Sequence, residues 1–247
     1  MRSETLRTSF QFGSGLTRTG KILLIVYGSV YVLELLCEHW LHIPLVSSLI
    51  LFPPGHPLFH VWQILTHPFL HDPRSPLGFL ITCLVFYFFS APVEQRLGTR
   101  GFLVIFYVSA LGAVLVGLPL SAVAGLGGPF FGMLPSLLSL IVVFGLMSPE
   151  ATILLMFVLP VKAKYLSYGT VIVTALTFLA KANPNGAYHL GGILLGYLAF
   201  RGPGNLPDPR AWYNRYLLWR IRRRRGRFTV IEGNRDKDDD RSGPTYH

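Results

Sequence analysis

Ionisable side chains set in apolar sequence are the first residues of this chain that could do chemistry. Glu34, Glu38 and His42 are spaced by four, so a helix through them would carry all three on one face. Ionisable groups inside membrane helices usually face the bundle interior or a water-filled cavity, which makes them functional candidates. Near a helix end they can also simply reach the membrane interface, and both interpretations stay open.

The next candidates are four histidines in one short stretch, His56, His60, His67 and His71. Histidine is a common metal ligand. No acidic or cysteine partner accompanies these four at ligand spacing, however. The two cysteines of the chain, Cys37 and Cys83, are too few for a metal cage or a disulfide framework. We therefore predict no metal and no cofactor.

The elements that position these residues are apolar helices. Of the 247 residues, 51% are hydrophobic and only 14% are charged, with a mean hydropathy of +0.47. Soluble domains carry a much larger charged fraction. The apolar residues fall in long runs, as membrane-spanning helices require. The length suits one helical bundle with tails and excludes two membrane domains.

The apolar runs predict an all-α integral membrane fold of six transmembrane helices. The predicted spans are 22–41, 77–93, 102–120, a fourth that follows the glycine-rich turn 125–128 and ends near 147, 165–179 and 187–200. The segment 42–76, rich in proline and histidine, forms a large first outer loop. The apolar run 151–159 is too short to cross and is interpreted as interfacial or re-entrant.

Basic residues predict the orientation of this bundle. With the N-terminus in the cytoplasm, only Arg74 and Lys181 of the 22 lysines and arginines fall outside. Both termini are therefore expected in the cytoplasm, with a leader at 1–21, a membrane domain at 22–201 and a basic tail at 202–247. The arginine bias and the lack of an organelle-targeting leader favour a bacterial inner membrane.

Twelve of the 22 basic residues lie at or beyond Arg201, and eleven of these belong to the tail. A polybasic stretch directly after a membrane helix favours anionic lipids over nucleic acid as its partner. Asp208 and Pro209 are typical of a helix start. Aromatic residues then recur at helical spacing, which indicates a short helix in the head-group region. A solvated basic tail is the alternative, and beyond 231 we expect disorder.

Four sequence patterns, in order, resemble the rhomboid intramembrane serine proteases. They are W-x-x-x-T…F-x-H at 62–71, E-x-R-x-G at 94–98, a counterpart of G-x-S-G-x-x-F-G at 125–132, and H-x-G-G-x-x-x-G at 189–196. The resemblance covers about 62–201 and implies the rhomboid fold. Within it, Glu94 and Arg96 are interpreted as a cytoplasmic polar anchor. Gly125 opens the third pattern.

Glycines of the last two patterns predict a close helix contact. Gly128 and Gly132 lie four apart on the predicted fourth span, as Gly192 and Gly196 do on the sixth. Small residues at this spacing let membrane helices approach closely. Such packing would bring Gly127 and His189 together near the outer ends of their helices.

The resemblance implies a serine–histidine dyad, and this chain lacks the serine. Serine attacks only when an adjacent base takes its proton. Here Gly127 holds the nucleophile position, and His189 holds the base position. The oxyanion positions that the resemblance implies fall on Gly78 and Thr82. Because oxyanion donors stabilise the transition state, these substitutions add to the loss.

Other hydroxyl or thiol groups were weighed as replacement nucleophiles. Ser136 and Ser139 lie too deep on the fourth span, because each residue rises about 1.5 Å. Ser121 and Cys37 lie at a suitable depth, but nothing in the sequence places either beside His189. The prediction is a catalytically inactive pseudoprotease that binds transmembrane segments of client proteins. The alternative is an active intramembrane endopeptidase with a relocated nucleophile.

Overall fold

The computed structural model of the chain describes residues 15–126, 128–155, 159–180, 185–202, 216–218 and 220. The chain divides into two compact units, Met1–Leu206 and Pro207–His247. In the second unit the described residues are helical. The predicted helix start at Asp208 and Pro209 and the aromatic residues Trp212 and Trp219 lie outside the described residues.

The first unit is mostly helical. Its α-helices are α1 Arg18–His39, α2 Leu45–Leu49, α3 Gln63–Thr66, α4 Pro76–Gly112, α5 Leu118–Val123, α6 Leu134–Met147, α7 Ala163–Leu179 and α8 Gly186–Arg201. A 3-10 helix, His67–Phe69, follows α3, and a π-helix, Ala113–Gly117, joins α4 to α5. Helical residues therefore occupy each predicted span.

Membrane-spanning length is clear for two of these helical stretches. Among the described residues, Arg18–His39 and Pro76–Val123 are long and apolar enough to cross a bilayer, and Leu134–Met147 and Ala163–Leu179 are shorter apolar helices. Gly98, with φ 73° and ψ 167°, breaks α4 between the second and third predicted spans. The count of six crossings stays a prediction.

The start of the fourth span differs from the prediction. Helix α6 begins at Leu134, and the described residues from 128 to 133 are not helical, with Phe130 bridged to Leu51 in antiparallel fashion. Pro129 disfavours a helical conformation at the residue before it, and Gly132 has φ +107°, a conformation open chiefly to glycine. The predicted helical stripe of Gly128 and Gly132 is therefore wrong, since both precede the helix.

Helix α8 packs closely through Gly191 and through the predicted pair Gly192 and Gly196. A Cβ built on Gly191 would lie 2.4 Å from the carbonyl oxygen of Gly112 and 2.5 Å from the nitrogen of Gly117. Gly192 lies against Pro135 of α6, and Gly196 against Ser109 and Ser139. The contact between the fourth and sixth spans thus uses a proline and a serine on α6 where the sequence predicted glycines.

A short β-hairpin separates α6 from α7. Strands β1 (Thr152–Leu155) and β2 (Leu159–Lys162) pair antiparallel, with Ile153 opposite Val161. The sequence predicted only an interfacial or re-entrant segment here, because an apolar run of this length does not distinguish strand from helix. The hairpin is the exception to the predicted all-α fold.

The face predicted on the first span is also interrupted. Glu34 is fully buried and Glu38 is exposed, but α1 ends at His39. His42 lies beyond the helix with φ 51°. The three residues therefore do not share one helical face.

Candidate functional site

His189 lies in the first turn of α8 and is 8% exposed. The ring of Phe130 meets its imidazole edge-on, with ring centroids 6.1 Å apart. Phe130 also stacks on Tyr188 at 4.3 Å. In the described part of the chain, the imidazole of His189 makes no hydrogen bond. Among the described residues, the histidine is thus held by packing, and none of them bonds to its ring and orients it as a base.

Gly127, the predicted nucleophile position, lies outside the described residues, but the carbonyl groups of both its neighbours accept hydrogen bonds. The hydroxyl of Ser121 donates to the carbonyl oxygen of Leu126 at 2.8 Å. The hydroxyl of Tyr188 donates to the carbonyl oxygen of Gly128 at 3.0 Å. Because Tyr188 directly precedes His189, the chain on one side of position 127 is tied to the start of α8.

The serines weighed as replacement nucleophiles are bonded elsewhere. Ser136 donates to the carbonyl oxygen of Phe106 at 2.7 Å, and Ser139 donates to that of Gly192 at 2.8 Å. Ser121 is bonded to Leu126, as above. All three hydroxyls are buried and are used by backbone carbonyls. Cys37 is half-buried, on α1.

The predicted oxyanion positions lie on the first turns of α4. The hydroxyl of Thr82 donates to the carbonyl oxygen of Gly78 within its own helix, at 2.9 Å. A Cβ at Gly78 would lie 2.5 Å from Oγ of Ser75 and 3.4 Å from Nε2 of His71. A side chain at position 78 would therefore require the hydroxyl of Ser75 to move, and the hydroxyl of Thr82 already has an acceptor.

A polar cluster beside these positions was not found by sequence reasoning. The hydroxyl of Tyr27 lies 2.8 Å from Nδ1 of His71, whose Nε2 lies 3.2 Å from the carbonyl oxygen of Ser75. Nε2 must therefore donate, and Nδ1 accepts from Tyr27. The backbone N–H of His71 donates to the buried carboxylate of Glu34 at 3.2 Å. The available signal was the helical spacing of Tyr27, Tyr31 and Glu34, which puts them on the side of α1 facing this loop.

Gln63 organises the first outer loop. This side chain is fully buried. Its Oε1 accepts from the backbone N–H groups of Phe52 and His60, both at 3.2 Å. Its Nε2 donates to the carbonyl oxygen of Leu58 at 2.8 Å and, at 3.5 Å, to that of Ser48. One amide thus satisfies backbone groups from several turns of the loop.

Replacement of Gln63 by leucine should open this loop. The loss leaves buried backbone donors unpaired, at a cost of about 2 kcal/mol. Hydrogen exchange of Phe52 and His60, measured by mass spectrometry in detergent, should rise clearly in Gln63→Leu. Val61→Leu, a change to leucine at a neighbouring side chain that is 72% exposed, is the matched control. Unchanged exchange in Gln63→Leu would contradict the role given to the amide.

The four loop histidines do not converge on one point. Nδ1 of His67 donates to the carbonyl oxygen of Gln63 at 3.0 Å, and Nε2 of His67 is buried with no partner among the described residues. Nδ1 of His60 lies 3.0 Å from the carbonyl oxygen of Leu58, and Nδ1 of His56 accepts from the N–H of Leu58. No group of three potential metal ligands converges in the described ranges.

Glu94 and Arg96 connect helix ends at the side of the bundle opposite the loop. The carboxylate of Glu94 accepts from the hydroxyls of Thr17, the N-cap of α1, and Thr99, the latter at 2.8 Å. The guanidinium of Arg96 donates to the hydroxyl of Ser148, just after α6, at 2.9 Å. These contacts fasten the ends of α1 and α6 to the part of α4 that directly precedes its break at Gly98.

One known protein family matches this chain over most of the membrane domain. The family model of the rhomboid domain matches residues 58–201, which is more than half of the chain. The match contains His189, the two predicted oxyanion positions and most of the outer loop. No curated protein matches the chain significantly.

Proposed function

The chain belongs to the rhomboid family of integral membrane proteins, and from that premise we propose that it is an inactive member that binds client transmembrane helices. The observation that carries the proposal is the glycine at position 127. A side chain without an attacking atom cannot form an acyl-enzyme. The six-crossing arrangement with both termini in the cytoplasm is part of the proposal.

The surroundings of His189 support the loss of catalysis. Ser121, Ser136 and Ser139 all donate to backbone carbonyls. Phe130 packs against the imidazole of His189 from the segment that precedes α6. A general base must reach the proton that it removes, and the described residues offer His189 no such partner.

The client surface is proposed at a gap between α4 and α7. Helix α7 packs on α6 and α8, but it makes little contact with α4. Both helices carry exposed apolar side chains, among them Leu80 and Ile81 of α4 and Ile172 and Val173 of α7. A partner helix with polar or helix-breaking residues could find hydrogen bonds near Thr82, because lipid offers it none.

Crosslinking tests the client surface. A photoreactive residue in place of Leu80 or Ile172 should capture membrane proteins from native membranes. The matched control is Ile25 of α1, which is 67% exposed against 61% for Leu80. Equal capture from all three positions would contradict a specific client surface.

The basic tail is proposed to bind anionic lipids of the inner leaflet, in a bacterial plasma membrane.

Restoring the hydroxyl should not restore proteolysis. We expect Gly127→Ser to leave a model transmembrane substrate uncleaved, because the oxyanion positions Gly78 and Thr82 still lack free donors. Labelling by a fluorophosphonate probe should also be absent in the natural chain. Labelling that His189→Ala abolishes would favour the alternative, an active endopeptidase with a relocated nucleophile.

A further inference from the structure

A cleft of about 440 Å³ lies at the end of the bundle that carries the first outer loop. It is bounded by the last residues of α1, by α2, by the turn before α4 and by Phe131. Glu38, His39, Asp72 and Arg74 line it. The cleft is separate from the glycine-rich contacts and from His189.

The charges of this cleft are of both signs and are not paired with one another. Among the described residues, none of its four ionisable side chains forms an ion pair. One oxygen of Asp72 accepts from the backbone N–H of Arg74 at 2.9 Å, which fixes the turn and leaves the other oxygen free of that bond. Carboxylates and a guanidinium that line one cleft complement a ligand with a cation and an anion.

The surroundings of the cleft are apolar and suit acyl chains. Trp40, next to His39, is 79% exposed, and large exposed apolar side chains continue along α1. Tryptophan is enriched where lipid headgroups begin. A ligand in the cleft would thus hold a polar group at headgroup level and its hydrocarbon against Leu33 and Leu36.

We propose that this cleft binds the zwitterionic headgroup of an amine-bearing phospholipid. Glu38 and Asp72 accept from the ammonium group, and Arg74 donates to the phosphate, for which a guanidinium is well shaped. His39 can donate to the same phosphate. The lipid would fasten α1 to the turn that precedes α4, at the end opposite the contacts of Glu94.

Lipid binding to the purified full chain in detergent tests the proposal. Native mass spectrometry compares phosphatidylethanolamine, phosphatidylcholine and phosphatidylglycerol with the same acyl chains. Because only the first carries an amine that can donate hydrogen bonds, we expect it to bind about tenfold more tightly than the others. Equal binding of the three lipids would overturn the proposal.

Variants test the residues proposed to bind the ammonium group separately from the arginine proposed to bind the phosphate. Glu38→Gln with Asp72→Asn should weaken phosphatidylethanolamine about tenfold, since each removed charge weakens the hydrogen bonds to the ammonium. The same double variant should not weaken the anionic phosphatidylglycerol, because the removed carboxylates only repel its headgroup. Arg74→Gln should weaken both lipids. Glu150→Gln, a neutralised carboxylate that is paired with Lys162 and Lys164, is the control and should change neither. If the double variant bound phosphatidylethanolamine as tightly as the natural chain, the proposed binding residues would be wrong. If soluble phosphoethanolamine bound as tightly as the lipid, the proposal that the ligand is a lipid would be wrong.

Discussion

Gly191→Ala should lower the free energy of unfolding by about 3 kcal/mol, at the upper end of what overpacking a core costs. The added methyl would lie within 2.5 Å of two backbone atoms, one on Gly112 and one on Gly117. Flexible side chains can move away from such a contact, but two helix backbones can separate only if the whole interface widens. Gly112→Ala meets the carbonyl oxygen of Gly191 at 2.4 Å and should behave alike.

The matched control is the same substitution at Gly169, in the middle of α7. A Cβ there meets nothing within 4 Å. Because alanine is the better helix former by about 1 kcal/mol, Gly169→Ala should be neutral or slightly stabilising. Thermal unfolding in one detergent measures both variants. Equal midpoints for Gly191→Ala and Gly169→Ala would refute the close approach of α8 to the segment 112–117.

Acid should destabilise the outer loop through His67. Burial lowers the pKa of this histidine to about 4, from an ordinary value of about 6.5. The unfolded chain therefore binds a proton that the folded chain excludes between these two values. Its contribution to stability is fully present above pH 6.5, declines as the pH falls and is lost near pH 4. The whole effect amounts to about 3 kcal/mol.

A non-titrating variant isolates this contribution. His67→Gln keeps a donor for the carbonyl oxygen of Gln63 and carries no proton equilibrium in this range. Other groups also titrate, and burial lowers the pKa of His71 in the same direction. The informative quantity is therefore the difference in unfolding free energy between the natural chain and His67→Gln, measured from pH 4 to pH 7. A difference that does not change with pH would show that His67 is not excluded from protonation.

The helices were the part of the fold that could be predicted well from sequence, because they coincide with long apolar runs. The family assignment made from the four motifs is confirmed by the match over 58–201. Helices lie in each predicted range because an apolar run of about 20 residues has few other stable states in a membrane. The roles assigned to His189, Gly127, Gly78 and Thr82 stay predictions.

Sequence reasoning failed where backbone conformation, not composition, decided the outcome. A spacing of four made Gly128 and Gly132 look like a helical contact, but a Cβ at Gly128 meets nothing within 4 Å. The closest contacts of α8 with another helix backbone involve Gly112 and Gly117, whose spacing of five matches no helical stripe. The role of Gln63 in the loop could not be predicted from sequence either, because its partners are backbone groups of a loop that has no periodic pattern.

The π-helix Ala113–Gly117 explains how two glycines five residues apart can both contact α8. In a regular α-helix, residues five apart point about 140° away from each other. The wider turn of a π-helix, bonded from i to i+5, sets such residues nearly one above the other, so Gly112 and Gly117 both meet α8. Deleting one residue between them would leave the two glycines four apart in a regular α-helix, about 40° from each other, so the direction of the chain beyond would change little. The π-helix therefore absorbs the extra residue within one turn, and Ser121 keeps its angular position relative to α8.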